Sequence, residues 1–419
     1  MFTTAGRLSH TPSIFRPCQV RVESLLMPGL AKYFFSGLFR LDHHAADERR
    51  LRSSGVPLTP EIVSSFSDYE KASVQRIAMA HKNLNSDSDD DVIRANAAFF
   101  LPADTAKSAR ALLIVHGLTD SPYYTRDLAQ YFQTQGFSVL SIVLPGHGTC
   151  PGDLLTVTKD DWITAVGDAI DLALDNYDDV YFCGCSIGAA LGLYHSLSGK
   201  RIKGLFLFSP ALKLTKAAAS VCILRLLSRI QPAFKWLSIL PDTDLYKYET
   251  LAMNAICESR KLLIDLGRLL DKHSINIPLF LTASEDDATV VGNAALSLFE
   301  SAGAARQMLY YSRYAAAVPA GVEVIRSDLS ERGICSAAHT SAIVSPDHPY
   351  YGKQGSYASC GHLYPYDRRK YQQCKAFRED CLGEVNLPEM KDKTVRRLTY
   401  NPWFDELLSK LDKYIKNIL

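Results

Sequence analysis

Val180-Tyr-Phe-Cys-Gly184-Cys-Ser186-Ile-Gly188-Ala-Ala-Leu-Gly-Leu193 is the stretch on which the fold turns. An apolar run ends at Gly184-Cys185-Ser186-Ile187-Gly188, a GxSxG sequence, and a helix-forming run from Ile187 to Leu197 follows at once. A strand that turns sharply into a helix holds the residue at the corner in a strained backbone and lifts its side chain above the sheet. The flanking glycines are expected because a side chain there would collide with neighbouring backbone. A chance GxSxG needs no such context, so the strand–motif–helix order marks Ser186 as a nucleophile candidate.

Working outward, short apolar runs at Ala97–Leu101, Ala109–Val115, Phe137–Leu144 and Lys203–Phe208 read as further strands. Tyr123–Gln135 and Asp161–Asn176 read as the helices between them. Strands alternating with helices imply βαβ units, a mostly parallel central sheet and an α/β fold class. Runs such as Leu112-Leu-Ile-Val115 suit a sheet buried on both faces. The rhythm breaks after Ser209-Pro210: residues 211–273 show no convincing strand, and Leu251–Leu270 is strongly helical, so a helical cap insertion is expected there. Strand rhythm returns at Ile277–Ala283, Gln307–Tyr311 and Val322–Ile325. An insertion is expected around 313–334, and a closing helix about 402–418, with Asn401-Pro402 as its cap and first turn. Thr59-Pro60-Glu61 reads as the start of an earlier helix, and Ser86–Asp91 as a solvated loop that ends it. The domain division expected is an N-terminal arm and helix over 1–95 and the sheet domain over 96–419.

Bulk properties exclude several function classes. Lys and Arg number 46 against 45 Asp and Glu, a net charge of +1, which gives no field to gather nucleic acid. No stretch approaches the roughly 20 apolar residues of a membrane span. The aromatic, mildly basic segment Leu30–Leu41 is a candidate for weak contact with a membrane surface, set against packing on the domain. Of the ten cysteines none forms a tight CxxC pair, which points to a reducing compartment and a cytoplasmic location; Cys335, Cys360, Cys374 and Cys381 would be free to pair in an exported protein. The spacing of Cys360, His362, Cys374 and Cys381 does not match usual zinc-ligand pairs, so no metal is expected.

Three motifs in order carry a resemblance: His116-Gly-Leu-Thr-Asp-Ser-Pro122, Leu144-Pro-Gly-His147-Gly-Thr149 with Pro151-Gly152-Asp153, and Gly184–Gly188. Over about residues 96–352 the chain resembles the carboxylesterase and monoacylglycerol-lipase-like branch of the α/β-hydrolase superfamily. The resemblance implies the α/β-hydrolase fold and ester cleavage by a Ser-His-Asp triad through an acyl-enzyme, with no metal or organic cofactor. The implied substrate is a small or lipid-like ester with a hydrophobic acyl part under the cap. The family order is Ser, acid, His. Asp287, ahead of Ala-Thr-Val290, matches the acid, with Asp286 as its close competitor; His339 in Ala338-His-Thr-Ser341 matches the base, with His362 as its rival. The backbone N–H groups of Leu118 and Ile187 are the implied oxyanion-hole donors. His147 reads as a structural turn residue. A thioesterase or amidase would use the same triad, and a catalytically silent α/β-hydrolase serving as a binding protein is the alternative of another class.

Overall fold

The structure, a computed structural model, describes residues 48–419 apart from 59–64, 87–88, 104–108, 214–221, 223–227, 229–231, 304, 315–316, 386 and 388–389. The expected membrane-contact segment Leu30–Leu41 and the helix start at Thr59–Glu61 lie outside the described residues.

Twelve strands are described: β1 Phe99–Leu101, β2 Arg110–Val115, β3 Ser138–Ile142, β4 Asp179–Cys185, β5 Leu205–Phe208, β6 Trp236–Ser238, β7 Leu251–Ala252, β8 Leu279–Ser284, β9 Arg306–Ser312, β10 Val322–Arg326, β11 Cys381–Gly383 and β12 Val395–Arg397. Eight of them form one sheet in the order β1-β3-β2-β4-β5-β8-β9-β10. Every pairing in it is parallel except that of β1 with β3. This is the mostly parallel sheet flanked by helices that the strand–helix alternation implies.

Side chains alternate across a strand, so a sheet covered on both faces must be apolar at every position. β2 shows it. Leu113 and Val115 point into one buried cluster, and Leu112 and Ile114 into the other. The first face is covered by the helices Lys159–Asn176, Ile187–Leu197 and Met253–Leu270, which contribute Trp162, Leu191 and Leu262 to its cluster. The second is covered by Arg126–Thr134 and Phe404–Ile418, through Leu128, Phe132, Leu407 and Leu411.

Several element expectations are corrected. Ser65, which the sequence does not single out, caps the helix Phe66–Asn83 by accepting from the Asp68 N–H. Ser86–Asp91 is not loop throughout: Asp89 caps a second helix, Asp90–Asn96. The cap region holds a short antiparallel pair, β6 with β7, which is too brief to leave a periodic signal. The closing helix runs Phe404–Ile418, and Asn401 stands ahead of it, its side-chain oxygen accepting from the Trp403 N–H.

Residues 48–58 are bound tightly to the sheet domain. The Asp153 carboxylate accepts from Ser53 Oγ, Ser54 N, Ser54 Oγ and Thr149 Oγ1 at 2.6–2.8 Å. Asp153 of the Pro151-Gly152-Asp153 motif is thus an anchor for this segment. Cys360 and Cys374 form a disulfide, and the Cys335 and Cys381 sulfurs lie 2.9 Å apart. Disulfides persist in oxidising compartments. The pair therefore runs against the reducing, cytoplasmic setting expected from the lack of a tight cysteine pair. Among the described residues no helix is long and apolar enough to cross a membrane.

Candidate active site

In open α/β sheets the strands' carboxyl ends form the crevice where ligands bind. Here β2, β4 and β8 deliver the chemistry-bearing residues to that edge. Ser186 follows β4 directly, with φ 53° and ψ −115°, a left-handed conformation that a side chain rarely adopts. Its backbone is held by Ser186 N donating to Phe208 O at 3.0 Å and Ala211 N donating to Ser186 O at 3.0 Å. The two motif glycines permit the bend. A Cβ on Gly184 would lie 2.5 Å from Ala189 N, and one on Gly188 2.3 Å from Val115 O.

Three side chains meet above this corner. His339 Nε2 lies 3.0 Å from Ser186 Oγ, and His339 Nδ1 lies 2.6 Å from Asp287 Oδ2. The other Asp287 oxygen accepts from the N–H groups of Thr289 at 2.8 Å and Val290 at 2.9 Å. Burial works against charge on Asp287, but His339 and these two N–H groups outweigh it and hold the carboxyl below its usual range. An ionised acid on Nδ1 fixes the tautomer that leaves Nε2 free to accept the serine proton.

The rivals make other contacts. Asp286 is tied to Arg313 Nε at 2.6 Å and Ser327 Oγ at 2.8 Å. His362 lines the same pocket, and burial lowers its pKa to about 3. His348 is buried and caps a turn, its Nδ1 accepting from the N–H groups of Tyr350 and Tyr351. Leu118 lines the pocket beside Ser186. Ile187 is the first residue of its helix, where an N–H has no intrahelical acceptor.

Two histidines set the loop that carries Leu118. His116 Nε2 accepts from Leu144 N at 3.1 Å while Nδ1 donates to Gly117 O at 2.8 Å. His147 Nε2 accepts from Thr119 N at 3.0 Å while Nδ1 donates to Pro145 O. The loops after β2 and β3 are therefore stitched together by two neutral imidazoles. Burial lowers the His116 pKa to about 4 and the His147 pKa to about 3. In the unfolded chain both would take up a proton near pH 6.5. Their contribution to stability is thus complete above about pH 6.5 and falls as the pH drops toward about 4, by about 2 kcal/mol for each at pH 5. Thermal unfolding at pH 7.5 and pH 5 checks this. An equal midpoint at the two pH values would contradict it.

The pocket has a volume of about 290 Å³. From the cap it receives Leu240 and Leu251, but also Asp244, Lys247, Tyr248 and Glu249. The roof is therefore more polar than the apolar cap expected from the sequence, because the leucines of Met253–Leu270 turn inward to the core. Lys247 Nζ lies 2.6 Å from Asp120 Oδ1 and joins the roof to the loop after β2.

Two residues that sequence reasoning missed come from the tail. Glu384 is fully buried and accepts from the His339 N–H at 2.9 Å, the Val385 N–H at 2.8 Å and Arg397 Nε at 2.9 Å. Arg397 Nη2 also donates to Thr289 Oγ1 at 2.9 Å. One buried ion pair thus ties the loop of His339 to the turn of Asp287. No sequence signal marks it, since Cys381-Leu-Gly-Glu384-Val matches no motif. Glu384→Gln keeps an acceptor but loses the charge. It is expected to lower kcat for ester hydrolysis by about 10- to 100-fold with a smaller change in KM, as misplacing a reacting group by about 1 Å does. Steady-state kinetics would show a KM-only effect if Glu384 did not hold the loop.

A family model described as serine aminopeptidase, S33, matches residues 106–315, half of the 419-residue chain. The thermostable monoacylglycerol lipase of Bacillus sp. (strain H-257) is 27% identical over 188 residues, which are 44% of this chain and 73% of that protein. The carboxylesterase of Bacillus subtilis (strain 168) is 29% identical over 85 residues, 20% of this chain and 35% of that one. Among solved structures, the Paleococcus ferrophilus monoacylglycerol lipase has a TM-score of 0.41 at 18% identity, over 51% of this chain and 88% of that chain. With a matching model over half its length and a strand–GxSxG–helix corner at the head of a parallel sheet, the chain is a serine hydrolase of the α/β-hydrolase fold and belongs to the serine aminopeptidase S33 family.

Proposed function

We infer that the protein hydrolyses carboxylic esters through a Ser186–His339–Asp287 triad and an acyl-enzyme. The observation that carries this reading is the continuous hydrogen-bonded line from Asp287 through His339 to Ser186 Oγ at the floor of the pocket. Its geometry falls within the reach that a general base needs. His339 accepts the serine proton as Oγ attacks the ester carbonyl, and Asp287 stabilises the imidazolium that forms. The N–H groups of Leu118 and Ile187 face the developing oxyanion, each such donor being worth about 3 kcal/mol in the transition state. The protonated His339 then passes its proton to the departing alcohol. Water, deprotonated by His339, cleaves the acyl-enzyme. Leu118, Leu240, Leu251 and Val385 supply apolar wall for a short acyl or alkyl portion. The named activities of the Bacillus relatives agree with ester cleavage. A serine-directed fluorophosphonate is expected to label the wild type and not Ser186→Ala. Equal labelling of both would move the nucleophile.

A further inference from the structure

Gly117 is all that separates the nucleophile from a buried carboxylate. A Cβ on Gly117 would lie 2.6 Å from Asp120 Oδ2 and 3.3 Å from Ser186 Cβ, so the two side chains flank this one glycine. The next N–H along the chain is that of Leu118, the oxyanion donor of the reading above. Asp120 is buried and lines the pocket with Ser186 and Leu118. A bare carboxylate here would oppose the negative charge that builds on the substrate oxygen, and a buried wall screens it little.

The cap supplies the opposite charge. Lys247 Nζ donates to Asp120 Oδ1 at 2.6 Å, and among the described residues this is the one side-chain bond of the Asp120 carboxylate. The loop does not depend on that contact for its shape. Thr119, at φ 69°, has its N–H held by His147 Nε2 at 3.0 Å and its carbonyl by the Tyr248 N–H at 2.9 Å. The Asp120 N–H donates to Gly117 O at 3.3 Å. With the backbone held by other groups, the task left to the Lys247 side chain is electrostatic.

We propose that Lys247 of the cap is a positioning residue for ester hydrolysis: it neutralises Asp120 beside the oxyanion hole, so that the cap completes the charge balance of the loop that receives the oxyanion. The inference rests on the ester-hydrolase reading above. It separates two roles that the ion pair could have. A mere latch between roof and loop is lost whichever partner is removed. Charge compensation is lost only when Lys247 goes and Asp120 stays, because asparagine at 120 leaves no anion to compensate.

The test is steady-state hydrolysis of p-nitrophenyl butyrate by Lys247→Met, Asp120→Asn, the double variant and Lys247→Arg, with thermal melts as the folding control. Lys247→Met is expected to lower kcat by about 10- to 100-fold with little change in KM, the effect of a lone charge a few ångströms from the developing oxyanion. Asp120→Asn and Lys247→Arg are expected to lose far less. The double variant is expected to regain most of what Lys247→Met loses. It buries no lone charge, so the comparison with Asp120→Asn holds even if Lys247→Met melts early. Asp120→Asn as slow as Lys247→Met, a double variant that regains nothing, or a loss confined to KM would overturn the role of Lys247 alone. A folded wild type that hydrolyses no ester would overturn the ester-hydrolase reading with it.

Discussion

Ser186→Ala lowers turnover of a short-chain aryl ester by about 10⁴- to 10⁶-fold while the protein stays folded. The size follows from the chemistry: without Oγ there is no acyl-enzyme, and only the oxyanion donors and binding remain to assist water. The fold is spared because, among the described residues, the sole side-chain bond made by Ser186 is to His339. Alanine also meets the same left-handed backbone at φ 53° that serine does. Hydrolysis by the purified variant, with far-ultraviolet circular dichroism as the folding control, measures it. Retention of more than a few per cent of activity would remove Ser186 from the nucleophile's place.

Asp287→Asn and Asp286→Asn are expected to fail in different ways. In Asp287→Asn the amide NH₂ can face His339 Nδ1 only if that nitrogen becomes the acceptor, which moves the proton to Nε2 and points it at Ser186. The base is then in the wrong tautomer, a change that costs about 10⁴ in kcat in other serine hydrolases. Asp286→Asn leaves the line through His339 intact but strips the charge that faces Arg313 at 2.6 Å. Breaking a buried pair from one side costs about 3–5 kcal/mol. The first variant is therefore expected to melt near the wild type and turn over poorly. The second is expected to melt early and keep its rate per folded molecule within about tenfold. Kinetics and thermal melts on both variants decide the matter, and the reverse pattern would place the acid at Asp286.

The parallel sheet was legible because its period is local and strong. β2 beyond Arg110 and β4 beyond Asp179 are buried at every position, as strands covered on both faces must be, and their bounds fall within a residue or two of the apolar runs. The Ser65 cap of the helix Phe66–Asn83 was passed over because Thr59-Pro60 is as good a local start signal, and local rules do not choose between two caps. The pair of β6 and β7 was missed because strands of three and two residues are made by pairing with each other, with no pattern of their own.

By itself the sequence placed the strand–GxSxG–helix corner at Ser186, since a GxSxG between strand and helix is a requirement on neighbouring residues that short-range sterics enforce. It also offered two adjacent aspartates as candidate acids and two histidines as candidate bases. Which member of each pair meets Ser186 was left to tertiary structure. Adjacent residues after a strand point opposite ways, and only the packed molecule shows that one direction leads to His339 and the other to Arg313. The character of the pocket was likewise invisible along the chain. Its walls join Tyr124, the cap residues Asp244–Glu249 and the tail residues Glu384 and Arg397, which meet through long-range contacts alone. The leucines that made the cap look apolar are spent on the core. Which face a helix buries is settled by what it packs against, and that partner lies far away in the sequence.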